Sequence, residues 1–240
     1  MSTAADPTVI LLHAMGSSRR MWRAERAALA DRFHVVTPDL PGHGGRTESF
    51  TLEAAVAEVC HLVGAATRPV VLAGSSLGAT VALRAAVTVP ERVAGLLLSG
   101  AMVSVPRLTL SLQRAVTRVL PLEWTAKASV NMIAPAEETD GFALLADIRS
   151  AGKRVQTAVL RELAAADLDA GVERVSAHTV VVCGERDRLN LRSARLLAER
   201  IPDARLVVLA GESHLWHMSR PGGFAELVRR VATASRSSGA

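Results

Sequence analysis

Six short runs of consecutive apolar residues limit what this 240-residue chain can fold into more than any other feature. They cover residues 9–12, 33–36, 69–73, 93–98, 179–183 and 205–209, each four to six residues long and rich in Val and Leu. A strand with one wet face alternates polar and apolar residues, whereas an unbroken apolar run belongs to a strand covered on both faces. Longer amphipathic stretches separate the runs. Ser17 or Ser18 stands where it would cap a helix reaching about residue 31, and Thr51 caps a second with its stripe at Val56, Val59, Leu62 and Val63. Residues 76–89 are apolar on most faces and stop before Pro90, as a helix buried against a sheet should. The pattern predicts an α/β fold with a parallel sheet between helical layers.

Residues 103–176 break the rhythm. They hold no strand-like run and read as helices over 108–120, 122–133, 136–150 and 153–168, punctuated by Pro121, Pro135, Gly141 and Gly152. The expected division is a core of residues 1–102 and 177–240 with a helical lid over 103–176. A Ser/Ala/Gly tail after Ala234 is expected to fray.

Composition narrows the function. With 49% hydrophobic residues the chain can bury a sizeable core. Its net charge of +5 comes without any run of five like charges, and only seven aromatic residues are present. A nucleic-acid surface would want clustered cations and stacking rings, so no nucleic-acid partner is expected. Cys60 and Cys183 lie far apart in apolar runs and read as reduced, buried thiols. No histidine pair with a nearby carboxylate suggests a metal, and no phosphate-binding glycine loop suggests a nucleotide, so no metal or cofactor is expected. The first apolar run is too short for a signal peptide or a membrane span, and the expectation is a cytoplasmic protein with no membrane partner. Oligomeric state leaves no mark on the sequence.

The chemistry lies in Gly74-Ser75-Ser76-Leu77-Gly78, which joins an apolar run to a helical stretch. A sharp strand-to-helix turn with a central serine projects the hydroxyl beyond the sheet and sets it against a helix N-terminus. The spacing of the glycines selects Ser76 over Ser75. A serine hydroxyl is a weak nucleophile and needs a base, which in turn needs an orienting acid. Both follow later runs: Gly184-Glu185-Arg186-Asp187, where the spacing favours Asp187 over a solvated or arginine-bridged Glu185, and Gly211-Glu212-Ser213-His214.

Taken with two further segments, this arrangement resembles the α/β-hydrolase superfamily, in particular its small esterases, enol-lactonases and carbon–carbon bond hydrolases. Leu11 to Ser18 is similar to the family's His-Gly oxyanion turn, and Asp39-Leu40-Pro41-Gly42-His43-Gly44 to its Asp-x-x-Gly-His-Gly loop. Pro221 follows His214 by seven residues, with Phe224 three further on, as in the family's histidine segment. The resemblance implies Ser76 as nucleophile, His214 as general base and acid, and Asp187 as the group orienting the imidazole. It implies the backbone N–H groups of Met15 and Leu77 as the oxyanion hole.

Three departures stand out. Ala14 replaces a usual glycine, Ser75 replaces a usual histidine or glutamine, and the first strand leads directly into the oxyanion turn without an opening hairpin. The sheet should therefore be shortened to about six strands, all parallel.

His13 and His43 are expected to order their loops, and His34, His61 and His178 to be structural or superficial. His217 is expected at the pocket rim or in packing. His13, Met102, Trp124, Met132, Trp216 and His217 are the candidates for lining a substrate pocket under an apolar ceiling. The function expected is hydrolysis of a small apolar carboxylic ester, lactone or thioester through an acyl-enzyme. The same triad would also serve carbon–carbon bond cleavage or cyclisation of a natural-product intermediate, and such folds also host non-catalytic small-molecule receptors.

Overall fold

A computed structural model of the protein describes residues 6–237. Its strands are β1 (Thr8–Leu12), β2 (His34–Val36), β3 (Val70–Ser75), β4 (Val93–Ser99), β5 (His178–Gly184) and β6 (Ala204–Leu209). They pair in parallel throughout, in the order β2-β1-β3-β4-β5-β6. The helices are α1 (Arg23–Leu29), α2 (Leu52–Ala65), α3 (Leu77–Thr88), α4 (Arg107–Val119), α5 (Leu122–Ile133), α6 (Glu138–Ala165), α7 (Arg188–Arg200) and α8 (Pro221–Ser237).

Successive strand residues point to opposite faces, and here both faces are dry. Ile10, Leu12, Leu72, Leu96, Leu98 and Val181 are buried among residues of α2, α3 and α7. Val9, Leu11, Val71, Ala73, Leu97 and Val182 are buried among residues of α1 and α8. This is the physical reason for runs without alternation. α3 lies against the sheet with every residue buried except Arg84 and Thr88. Thr51 caps α2 by accepting the Ala54 N–H at 3.1 Å. Ser18, not Ser17, takes the other capping position, but it starts a short 3₁₀ turn, Arg19–Trp22, ahead of α1.

α4, α5 and α6 fill the connection from β4 to β5. The two helices expected over 136–150 and 153–168 lie end to end within the span labelled α6, divided where Gly152 leaves helical geometry at φ 62° and ψ −178°. α8 runs to Ser237, and the rest of the tail expected to fray, residues 238–240, lies outside the described residues. Among the described residues no helix is long and apolar enough to cross a membrane.

From β1 the chain turns to one side to make β2, then returns across β1 to make β3. The loops that follow β1 and β3 therefore part from each other at the carboxyl edge of the sheet, which opens a crevice there. Buried polar contacts hold those loops. His13 is wholly buried; its Nδ1–H donates to the Ala14 carbonyl at 2.9 Å and its Nε2 accepts the Leu40 N–H at 3.0 Å. His43 likewise donates from Nδ1 to the Pro41 carbonyl at 2.9 Å. Asp39 accepts the Arg19 backbone N–H at 2.6 Å and its Nε–H at 2.8 Å. Burial alone would raise the Asp39 carboxyl, but the contacts with Arg19 outweigh it and hold the group below its usual range. Asp147 of α6 accepts the Ser18 hydroxyl at 2.6 Å and also pairs with Arg20, which ties α6 to the loop after β1.

Two outcomes follow from this core. Phe224 is fully buried, with its ring 4.8 Å from that of Trp22 and 6.0 Å from that of Trp216. Phe224→Ala should lower stability in urea unfolding by about 3–5 kcal/mol, whereas Leu108→Ser, at a position 81% exposed, should change it by no more than about 0.5 kcal/mol. The second concerns acid. Burial, helped by neighbouring His43, holds the His13 imidazole at about 3 against an ordinary 6.5. Between those values the unfolded chain binds a proton that the native chain refuses, so stability rises with pH across that window. Going from pH 7 to pH 5 should remove about 2 kcal/mol through this side chain, and His13→Gln should flatten the pH dependence measured by urea titration.

Candidate active site

The site is built at the ends of β3, β5 and β6. β3 passes into α3 through Ser76, which adopts φ 54° and ψ −113°. A positive φ at a residue with a Cβ is strained by about 1–3 kcal/mol and has to be enforced by the surroundings. A Cβ added at Gly74 would collide with the Gly78 backbone, and one added at Gly78 would run into the Leu12 carbonyl of β1. The two glycines thus let α3 leave β3 at once and pass close to β1. The Ser76 N–H donates to the Ser99 carbonyl at 2.8 Å, which pins the turn to β4. Leu77 opens α3, so its N–H is among those that a helix leaves without an intrahelical acceptor.

Asp187 follows β5 and is the N-cap residue of α7. His214 lies in the loop after β6. The β5 and β6 loops are laced together: the Arg186 N–H donates to the Glu212 carbonyl at 2.9 Å, and Glu185 accepts the Gly211 N–H at 2.8 Å. Glu185 is exposed, the first of the two places expected for it, and from there it braces the histidine loop. The outcome is a continuous chain of hydrogen bonds. The Ser76 hydroxyl donates to His214 Nε2 at 2.9 Å, and His214 Nδ1–H donates to Asp187 Oδ2 at 2.6 Å. These partners fix the imidazole tautomer.

Ser76 and Asp187 are each 7% exposed, while the His214 side chain keeps 35% of its surface. Burial would raise the Asp187 carboxyl, yet the hydrogen bond and charge of His214, with hydrogen bonds from Asn190, hold it below the usual range. Beneath it, burial and the Asp187 charge push the Cys183 thiol up to about 12, so that sulfur stays protonated and inert. Cys60 is only half-buried.

The positions that depart from the family pattern find simple places. The Ala14 methyl is buried in the layer formed with α1 and α8. Ser75 is fully buried opposite Ser99, and its hydroxyl has no partner among the described residues. Met15 packs against the opposite layer.

The proposed pocket lining is not brought together. Trp124 and Met132 are 71% and 73% exposed on α5. Their spacing of eight residues puts them on one helical face, and that face is turned to solvent. Met102 is buried, its N–H donating to Thr80 Oγ1 at 3.1 Å. Trp216 is buried and donates from Nε1 to Ser99 Oγ at 3.0 Å. His217 is fully buried, stacked on Trp22 and bonded through Nδ1 to Glu25 at 3.3 Å, so it forms no rim. His13 is the loop brace described above. Sequence reasoning missed Asn190, whose side chain contacts both Asp187 and His214. Its signal was available: Asp187 at the N-cap with an amide three residues on has the spacing of a capping box.

Comparison with known proteins bears on the family. The chain is 27% identical to the pimeloyl-[acyl-carrier protein] methyl ester esterase of Yersinia enterocolitica, over 96% of this chain and 95% of that one. A shorter match to the enzyme of the same name from Methylococcus capsulatus reaches 40% identity but spans 40% of this chain and 38% of that enzyme. Among solved structures, a thermophilic esterase from Thermogutta terrifontis superposes with a TM-score of 0.79 at 26% identity, covering 97% of this chain and 92% of that one. The sequence profile of the alpha/beta hydrolase family matches residues 9–227, nearly the whole described chain, and the protein belongs to that family.

Proposed function

We propose that the protein is a serine hydrolase that cleaves a small carboxylic ester, lactone or thioester through an acyl-enzyme. The observation that carries this reading is the 2.9 Å and 2.6 Å relay from Ser76 through His214 to Asp187. Its esterase relatives support the ester as the bond attacked. The turn at Ser76 presents the hydroxyl to Nε2, which takes its proton as the oxygen attacks the substrate carbonyl. Asp187, ionised and buried, stabilises the imidazolium that forms and keeps Nδ1 protonated. The negative charge on the former carbonyl oxygen falls to the N–H groups of Leu77 and Met15, which act as the oxyanion hole. His214 returns the proton to the departing alcohol or thiol. Water then adds to the acyl group by the same route, with its proton passing to His214 and back to Ser76. α4–α6 act as a lid over this edge, anchored to the oxyanion loop through Asp147.

Ser76→Ala should lower the kcat for p-nitrophenyl butyrate by about 10³-fold or more and abolish labelling by a fluorophosphonate probe. Equal rates in variant and wild type would overturn the assignment. Asp187→Asn leaves the shape intact but lets Nδ1 lose its proton; its kcat should fall by about 10⁴-fold with the fold unchanged by circular dichroism.

A further inference from the structure

We propose that Asn190 is a positioning residue for the reaction described above, holding the Asp187 carboxylate in the rotation that serves His214. The inference rests on the serine hydrolase reading and adds a fourth side chain to it. Asn190 lies in the first turn of α7 and is 2% exposed. Its Nδ2 donates to both carboxylate oxygens, at 2.9 Å each, while its backbone N–H reaches Oδ1 at a long 3.4 Å. The helix cap alone is therefore a weak tether at one oxygen. The side-chain amide closes a clasp on both.

The contacts also settle which way the amide points. Nδ2 is 3.1 Å from His214 Nδ1. Both nitrogens are donors, so this is no hydrogen bond; the two N–H groups converge on the same anionic oxygen, Oδ2. Exchanging the amide's nitrogen and oxygen would set a carbonyl against two carboxylate oxygens. In the orientation observed, Asn190 Oδ1 is buried with no partner among the described residues. An orphaned buried carbonyl is destabilising, and an apolar side chain of the same shape would avoid it. What the amide contributes in return is control of Asp187. A carboxylate is free to turn about its Cβ–Cγ bond, and a turn of Oδ2 away from Nδ1 would leave the developing imidazolium unpaired. With both oxygens held by Nδ2, the 2.6 Å contact to His214 is kept throughout the proton transfer.

The test is Asn190→Leu, which keeps the shape and the backbone cap but removes the donors. With p-nitrophenyl butyrate, kcat should fall about tenfold to a hundredfold while KM stays within about twofold. Asn190→Ser, which restores one short donor, should recover part of the loss. A readout independent of turnover is the downfield proton resonance of the His214 Nδ1–H, assigned by its loss in His214→Gln; in Asn190→Leu it should move upfield or vanish by exchange. If Asn190→Leu does not fold, the smaller donor-free Asn190→Ala takes its place with the same expected fall. A folded donor-free variant with wild-type kcat and an unmoved resonance would overturn the proposal. Failure of the hydrolase reading itself looks different: the wild type would then neither turn over ester nor take up the fluorophosphonate, while the resonance would still report on Asn190.

Discussion

The close approach of α3 to β1 is the contact on which the rest of the architecture depends. At Gly78 the helix backbone lies so near the Leu12 carbonyl that no side chain fits between them, and Gly74 faces the Gly78 backbone in the same way. That proximity lets α3 start immediately at Ser76 and forces this residue into a positive φ. The strain is sustained because β3 is held on both sides, by β1 and by β4, and because the turn amide is bound to Ser99. A hydroxyl placed this way stands above the sheet edge at the switch between β1 and β3, where neighbouring loops part. A looser turn would return Ser76 to ordinary geometry and lose the approach to His214.

Around that point the protein buries several polar groups and satisfies most of them locally. His13 and His43 stay neutral at neutral pH, since burial lowers both; His13 is a hydrogen-bonding strut between two loops, while His43 bonds within its own turn. The buried carboxylates are handled differently. Asp39 and Asp147 each meet an arginine from the turn after β1, while Asp187 meets the imidazole and amide of His214 and Asn190. The first two lock loops. The third stands where charge develops in the proposed reaction, so its anion is left to stabilise a neighbour that changes charge.

Much of this was legible in the residues. The six strands and their buried character followed from unbroken Val/Leu runs, because a strand flanked on both sides has no wet face to mark with polar residues. The turn at Ser76 followed from glycine spacing, because only glycine fits where backbone touches backbone. The order of Ser76, Asp187 and His214 at strand ends was likewise readable. The pocket candidates fared otherwise. Trp124, Met132, Trp216 and His217 were candidates for the pocket lining, yet two point to solvent and two are sealed in the core. Helical periodicity tells which residues share a face; it does not tell which way a helix in a long crossover turns that face.

The chain's covalent order therefore determined the fold class, the sharp turn at Ser76 and the candidate reactive groups, since each is written in local residue types and spacings. Only the tertiary structure decided that Ser76 and His214, 138 residues apart in sequence, meet at 2.9 Å. It also decided that Glu185 braces a loop, that His217 pairs with Glu25, and that Asn190 clasps Asp187. Those outcomes depend on how three strand ends converge, and convergence is set by sheet register and helix packing summed over the whole core, which no short stretch of residues encodes.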